Sequence, residues 1–290
     1  MNRIVLIGNG FDLAHGLKTS YADFIDWYWE HVKHKILGSL SNIYDDGLCF
    51  VSSNKSWPQG FWAVFTYDIN IGSNRELPGK DFVEFLRESC HMQVVFSPLL
   101  EAIMHDITEK KWVDIERVYY SLLNESRQEK PNIDIKALNN QLQALTDKLC
   151  EYLKDVVNNS TKEINKAIKE KIYEPIKLRD IATGSTREST RYFNDRCAKI
   201  HILNLLEKYQ KIGILKNYDL EMLRISYKDD FGHYMQRDYK FSTLPERILL
   251  VNFNYTNIAD QYVPEDQEIA MVNHIHGTLE EPESMIFGYG

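Results

Sequence analysis

Ile4-Val5-Leu6-Ile7-Gly8-Asn9-Gly10-Phe11-Asp12-Leu13-Ala14-His15-Gly16-Leu17 stands near the start of the chain. Four apolar residues in a row read as a buried parallel strand. They run into Gly8-Asn9-Gly10, where glycine permits φ > 0 and leaves room for a ligand against the backbone. Strand, glycine turn and helix in succession direct backbone N–H groups at a phosphate. The motif has two readings. It lacks the third glycine of the dinucleotide fingerprint at the usual spacing, and no acidic strand end follows about 20 residues on. A plain structural turn therefore explains it as well as a phosphate loop does. Asn9 and Asp12 weigh toward function, because a plain turn beside a buried strand needs neither.

The 290 residues suffice for one large domain or two ordinary ones, and 43% hydrophobic with 26% charged residues is normal for a globular chain. The net charge of −8 makes non-specific nucleic-acid binding by the whole surface an unlikely role. Cys49, Cys90, Cys150 and Cys197 lie far apart without a Cys-x-x-Cys pair, which argues against a cysteine zinc site and suits a reducing cytosol. Asp12 interrupts the first apolar run too early for a secretory signal. No apolar run reaches the ~18 residues that a membrane span needs. The expected setting is cytoplasmic, with no membrane partner.

Ser20 with Asp23 three residues on resembles a capping box and predicts a helix from about 20 to 37. Ser39 to Lys80 is rich in Gly, Asn, Ser and Asp and reads as a long loop region, a candidate lid. From Asp81 the pattern turns helical for over about 100 residues. Ile135, Leu138, Leu142, Leu145, Leu149, Tyr152 and Val156 form an amphipathic stripe of the helix-bundle kind. Arg179 to Thr190 reads as a break, and helix is expected again from Tyr192 to about Lys211. Three short strands are expected near the C-terminus: Arg247 to Thr256, Met271 to Gly277 and Met285 to Gly290. Their polar ends, and the Gly8 turn, fall on one edge of a parallel sheet, where α/β folds bind ligands. The expected architecture is an α/β core over 1–80 and 245–290, split by a helical insertion over 81–244.

Each polar end has a structural and a chemical reading. Asn252 and Asn254 either close the sheet edge through Asx turns or orient a water or sugar hydroxyl. His274 and His276 are satisfied structural histidines, metal ligands on one strand face, or a general base poised near neutral pH, with Gly277 leaving space beside it. No acidic residue lies at convincing ligand spacing, so no metal is expected. In Trp112-Val113-Asp114-Ile115-Glu116-Arg117-Val118-Tyr119-Tyr120, Ile115, Tyr119 and Leu122 read as a buried stripe. Glu116 is either a solvated helix start or a carboxylate reaching into a cleft.

Several of these motifs together resemble the bacteriophage abortive infection AbiH family. They are Gly8 to Leu17 followed by Thr19-Ser20-Tyr21, Trp112 to Glu116, Phe253-Asn254-Tyr255-Thr256-Asn257, Ile275-His276-Gly277 and Phe287-Gly288-Tyr289-Gly290. They span the whole chain in order. The resemblance implies a bacterial anti-phage protein with a phage-derived trigger. In that family the pattern continues with acidic residues and more chain, which implies a truncated or naturally short form here.

A more distant similarity is to sirtuin-like NAD-binding domains. Gly8, Gly10, Gly16 and Leu17 fall on the frame of their first glycine motif. Phe253-Asn254 maps onto their Thr-Gln-Asn strand end, and Ile275-His276-Gly277 onto their Leu-His-Gly. This similarity implies a Rossmann-like (sirtuin-like) parallel sheet, with Asn254 and His276 as the catalytic pair, assisted by Asp12. It implies NAD contacts from Gly8, Asn9, Gly10, Phe11, Asp12, Gly16, Asn252, Thr256, Gly277 and Gly288. The four-cysteine zinc ribbon is absent, and Ser20-Tyr21 stands where a Phe-Arg would fall. Both argue against protein deacylation and leave NAD cleavage open. The expected function is thus NAD glycohydrolysis in phage defence. A nucleotide-binding sensor or toxin module that can form homo-oligomers, and a metal-dependent nuclease, are the alternatives.

Overall fold

The computed structural model describes residues 2–53, 61, 76–90, 92–110, 114–126, 134–158, 163–177, 207–213, 242–265 and 268–286. In chain order these form β1 (Asn2–Ile7), α1 (Asn9–Ala14), α2 (Tyr21–Gly38), β2 (Ile43–Asp45), β3 (Cys49–Ser52), α3 (Gly79–Glu88) and β4 (Gln93–Phe96). There follow α4 (Pro98–Lys110), α5 (Ile115–Glu125), α6 (Ile135–Asn158), α7 (Lys166–Tyr173), β5 (Ile176–Lys177), β6 (Ser242–Thr243), β7 (Arg247–Asn252) and β8 (Ala270–His274), with 3₁₀ turns at Ile258–Tyr262 and Pro282–Ser284. The fold is α/β. It falls into two compact units, one of 1–11 and 161–278, the other of 12–160 and 279–290. These divisions do not coincide with the expected boundaries near 80 and 245.

The first unit is built on a parallel sheet in the order β1-β7-β8. Its register aligns Ile7 with Asn252 and Asn252 with His274, so three strand ends meet at one edge. One face carries Ile7, Ile248, Leu250 and Ala270, packed with Ile172, Tyr173, Tyr209 and Tyr262 into the core. Polar atoms inside that core are satisfied. The Tyr173 hydroxyl donates to the Tyr262 carbonyl at 2.7 Å and the Tyr209 hydroxyl to the Pro245 carbonyl at 2.8 Å. Burial raises the pKa of both Tyr209 and Tyr262, which keeps the hydroxyls protonated as donors. Arg3 donates to the carbonyls of Ile172 (2.7 Å) and Glu174 (2.6 Å) at the C-terminal end of α7, where a cation complements the helix dipole.

The other face of this sheet corrects the expectation of a fully buried first strand. Ile4 and Leu6 are 67% and 72% exposed. A continuous apolar run does not by itself say how many of its faces are covered.

The second unit contains the antiparallel sheet β2-β3-β4. Its strands replace part of the loop expected over 39–80, and β4 interrupts the expected helical run from Asp81. Ser20 caps α2 by accepting from the Asp23 amide at 3.1 Å and donating to the Asp23 carboxylate. Phe24, Tyr28, Val32 and Ile36 line the buried side of α2. Asp46 gathers the Tyr28 hydroxyl (3.2 Å), the Tyr44 hydroxyl (2.8 Å) and the amides of Leu48 (3.0 Å) and Cys49 (2.8 Å). Gly79, at the start of α3, donates its amide to Glu30 at 2.5 Å. A Cβ on Gly79 would overlap the Trp29 carbonyl group and the Glu30 nitrogen.

Helix α6 covers the predicted stripe, with Leu138, Leu145, Leu149 and Tyr152 buried. In α5, Asp114 is the N-cap, accepting from the Arg117 amide at 3.0 Å. Ile115, Val118 and Leu122 are its buried residues. Tyr119 is instead half-exposed and donates to Asn139 at 2.6 Å. Met285 and Ile286 are not in a strand, contrary to the third strand expected there, since the chain follows a 3₁₀ turn at Pro282–Ser284. The break at 179–190, most of the helix expected over 192–211, Trp112, Val113, Cys197 and Gly288 lie outside the described residues. Of that helix, residues 207–211 are described and are helical.

Candidate functional site

The candidate site stands at the C-terminal edge of the parallel sheet, where strand ends present backbone groups with no further ladder to enter. Beyond β7 the chain stays tied to the sheet. The Phe253 amide donates to the Ile7 carbonyl and the Ile275 amide to the Asn252 carbonyl, both at 2.9 Å. The residues between are therefore held by backbone bonds before any side chain acts.

Asn252 is buried and organises the edge. Its Oδ1 accepts from the Asn254 amide at 3.1 Å, an Asx-type turn. That assigns Nδ2 as the donor, to the Thr256 carbonyl at 3.0 Å and to His274 Nδ1 at 3.2 Å. His274 Nδ1 is thereby the acceptor, so the proton sits on Nε2, which donates to Asp260 at 3.1 Å. Both ring nitrogens of His274 are engaged, as in a satisfied structural histidine. Asp260, its partner, escaped sequence reasoning. It lies 14 residues upstream on a 3₁₀ turn, and no local spacing signals that pairing.

Asn254 is buried and reaches across the edge. Its Nδ2 donates to the Gly8 carbonyl at 3.1 Å, over a separation of 246 residues. The same carbonyl accepts from the Phe11 amide at 2.8 Å, so both of its lone pairs are used. The structure thus brings Asn254 and the glycine turn together.

His276 lies beyond β8 in the turn that Gly277 closes at φ +77°. The two histidines therefore do not sit together on one strand face. The His276 ring meets Phe253 edge-on at 5.8 Å and Tyr255 at 6.1 Å. Its nitrogens carry no hydrogen bond among the described residues, which leaves them available to a ligand. Thr256 is buried beneath the edge.

Gly8 and Gly10 depart from the expected reason for glycine. Neither has a positive φ, and a Cβ on either would meet no atom within 4 Å. Gly10 even lies within α1, where glycine costs about 0.5–1 kcal/mol relative to alanine. Neither turn geometry nor packing accounts for them. Both line a cavity of about 620 Å³ along β1, with Asn9, Phe11, Arg3 and Lys171. Arg3 is bonded to neutral carbonyls, and Lys171 pairs with Glu174 at 2.5 Å. Two cations against one carboxylate give the cavity positive character, another feature that sequence spacing did not announce. Asn254 and His276 do not line this cavity.

Asp12 and Gly16 belong to the second compact unit. Asp12 is buried, and its carbonyl accepts from the His15 (2.9 Å) and Leu17 (3.1 Å) amides. Gly16 has φ +75° at the end of α1, where a left-handed residue closes the helix. No group of three or more His, Cys, Asp or Glu side chains suited to a metal gathers among the described residues. No described helix is long and apolar enough to cross a membrane.

Among family models, that of bacteriophage abortive infection AbiH matches residues 4–290. No curated protein and no solved structure matches the chain.

Proposed function

The chain belongs to the bacteriophage abortive infection AbiH family, and on that premise we propose that it binds NAD or a related nucleotide at the Gly8–Phe11 turn and hydrolyses the nicotinamide–ribose bond. Membership supports a role in abortive-infection defence; the ligand and the chemistry are the proposal. The observation that carries it is the open space at Gly8 and Gly10, which neither φ nor packing requires. A phosphate-bearing ligand explains both glycines, and a cavity of about 620 Å³ with Arg3 and Lys171 on its wall is of small-molecule size.

The reaction needs few groups. Nicotinamide leaves as a neutral molecule, so no general acid is required, and the transition state is oxocarbenium-like as in glycoside hydrolysis. His276, whose ring nitrogens carry no hydrogen bond among the described residues and whose ring meets Phe253 and Tyr255, is the candidate base toward water. Asn254 fixes the turn through Gly8, and the Oδ1 of its amide is the candidate contact to ribose or water.

One observation favours a second reading, a nucleotide-responsive sensor. Asn254 Nδ2 is already committed to the Gly8 carbonyl, so a ligand displacing the turn pulls directly on the strand end. Incubating the purified chain with NAD⁺, with and without divalent metal, separates the readings. Nicotinamide release followed by chromatography is expected without metal. His276→Ala should lower it by ~10²–10⁴-fold, the usual contribution of a positioned base, with an unchanged circular dichroism spectrum. Thermal stabilisation by NAD⁺ without product points to the sensor. Metal-dependent cleavage of a nucleic-acid probe, abolished by chelator, without nicotinamide release supports the nuclease alternative, and neither binding nor release sinks the nucleotide proposal.

A further inference from the structure

Arg3 stands at the far end of β1 from the glycine turn, half-buried, and lines the same cavity. Its Nη1 donates to both helix-end carbonyls, those of Ile172 and Glu174. These acceptors are neutral, so they anchor the guanidinium without cancelling its charge. Among the described residues no carboxylate pairs with Arg3. The acidic side chain on the cavity wall, Glu174, is held by Lys171. Closing the end of α7 therefore accounts for Nη1 alone. Nε and Nη2 remain, and neither has a hydrogen-bond partner among the described residues. Those two nitrogens make the planar side fork that matches two oxygens of one phosphate.

On the nucleotide reading of this cavity, we propose that Arg3 receives a second phosphate, separate from the diphosphate at the Gly8–Phe11 turn. The ligand is then a nucleotide phosphorylated on its adenosine ribose, of which NADP⁺ carries the nicotinamide–ribose bond. The order of the wall along β1 favours this class. The glycines stand at one end and the arginine at the other, about 16 Å apart along the strand at roughly 3.3 Å per residue. Between them on β1 come Ile4 and Leu6, and Ile168 and Ile172 of α7 line the same cavity. A triphosphate gathers its charge in one cluster and carries none beyond the base. A phosphate on the ribose sets charge at both ends of an apolar base and sugar. The sequence agrees, since no acidic strand end follows the turn to accept a free ribose hydroxyl, and a nearby arginine is what accommodates a 2′-phosphate.

Calorimetry on the full chain with NAD⁺ and NADP⁺, and with the unreactive pair adenosine 5′-monophosphate and adenosine 2′,5′-bisphosphate, reads the second phosphate directly. In each pair the ligand with the additional phosphate is expected to bind at least about tenfold tighter through a charge-assisted bidentate contact. The ratio should shrink as salt rises. Arg3→Gln, which keeps a donor toward the helix-end carbonyls, should bring both ratios to within about twofold of one. Arg3→Lys keeps the charge without the fork and should lower them at least about threefold, so it decides if the glutamine variant fails to fold. Equal affinities within each pair overturn the inference and leave the nucleotide reading standing, as do ratios that the folded variant leaves unchanged. If none of these ligands binds, the nucleotide reading falls and the role of Arg3 falls with it.

Discussion

Gly8-Asn9-Gly10 and Gly79 are glycine positions at helix starts with opposite surroundings. At Gly79 a Cβ would overlap the Trp29 and Glu30 backbone. There glycine exists so that α3 can begin against α2, with its amide on Glu30. At Gly8 and Gly10 a Cβ would meet nothing within 4 Å. The first case is packing, and its consequence is stability. The second has no packing consequence, and under the proposed function its reason is the ligand that enters the open space. The same residue type reads alike in sequence and is separated only by its neighbours in space.

Alanine breaks this comparison most sharply at Gly79. Backbone on two sides cannot yield as a flexible side chain can, so Gly79→Ala should cost about 3 kcal/mol or more. Chemical denaturation would show it as a lower midpoint with an unchanged slope. If the variant is as stable as its parent, the α2–α3 contact is looser than described. Asp46→Ala probes the same packed unit. It strands the buried Tyr28 hydroxyl along with that of Tyr44 and the Leu48 and Cys49 amides. The expected loss is about 2–3 kcal/mol. Burial first, then the Asp46 charge, raises the pKa of Tyr28 and Tyr44, so both remain donors and Asp46→Asn should recover part of the loss.

The matching substitutions at the open turn invert the outcome. Gly10→Ala should leave stability unchanged or raise it by up to about 1 kcal/mol, because glycine is the poorer helix residue. Gly8→Ala should stay within about 0.5 kcal/mol of the parent. Nucleotide affinity, measured by calorimetry, is expected to fall about tenfold or more in both, the loss of a close backbone approach. Unchanged affinity would leave the two glycines unexplained and the turn without a ligand.

What was legible in the sequence follows the range of the interactions. The cap at Ser20 and the α6 stripe depend on residues within a turn or two, and the structure bears them out. The polar ends of β7 and β8 were legible as well, because a buried strand that stops in Asn or His must stop at an edge. The uncovered face of β1 was not, since Ile4 to Ile7 reads alike with one face buried or two. Nor was the β2-β3-β4 sheet, whose strand Ile43–Asp45 has only three residues and whose strand β4 is set within helical sequence. The Asp260–His274 pair was illegible for the same reason. It joins two elements across space, and only after it is seen does His274 become structural while the His276 nitrogens have no hydrogen bond among the described residues.

The smallest expected effect concerns a histidine in the packed unit that contrasts with His276. His31 Nε2 lies 3.1 Å from Lys148 Nζ, and its Nδ1 is 3.6 Å from Glu151. The ammonium is a donor only, so Nε2 must be the neutral acceptor and Nδ1 the protonated nitrogen. Burial, and next the Lys148 charge, lowers the His31 pKa from its ordinary value of 6.5. The folded state then binds this proton less readily than the unfolded state does. Its contribution to stability is complete above pH ~6.5 and is lost as pH falls toward the lowered folded pKa. His31→Gln, which can still accept from Lys148, should therefore show a smaller drop in melting temperature between pH 7 and pH 5 than the parent. A variant with the parent's full pH dependence would mean that His31 takes up its proton in place, with Glu151 rather than Lys148 governing the ring.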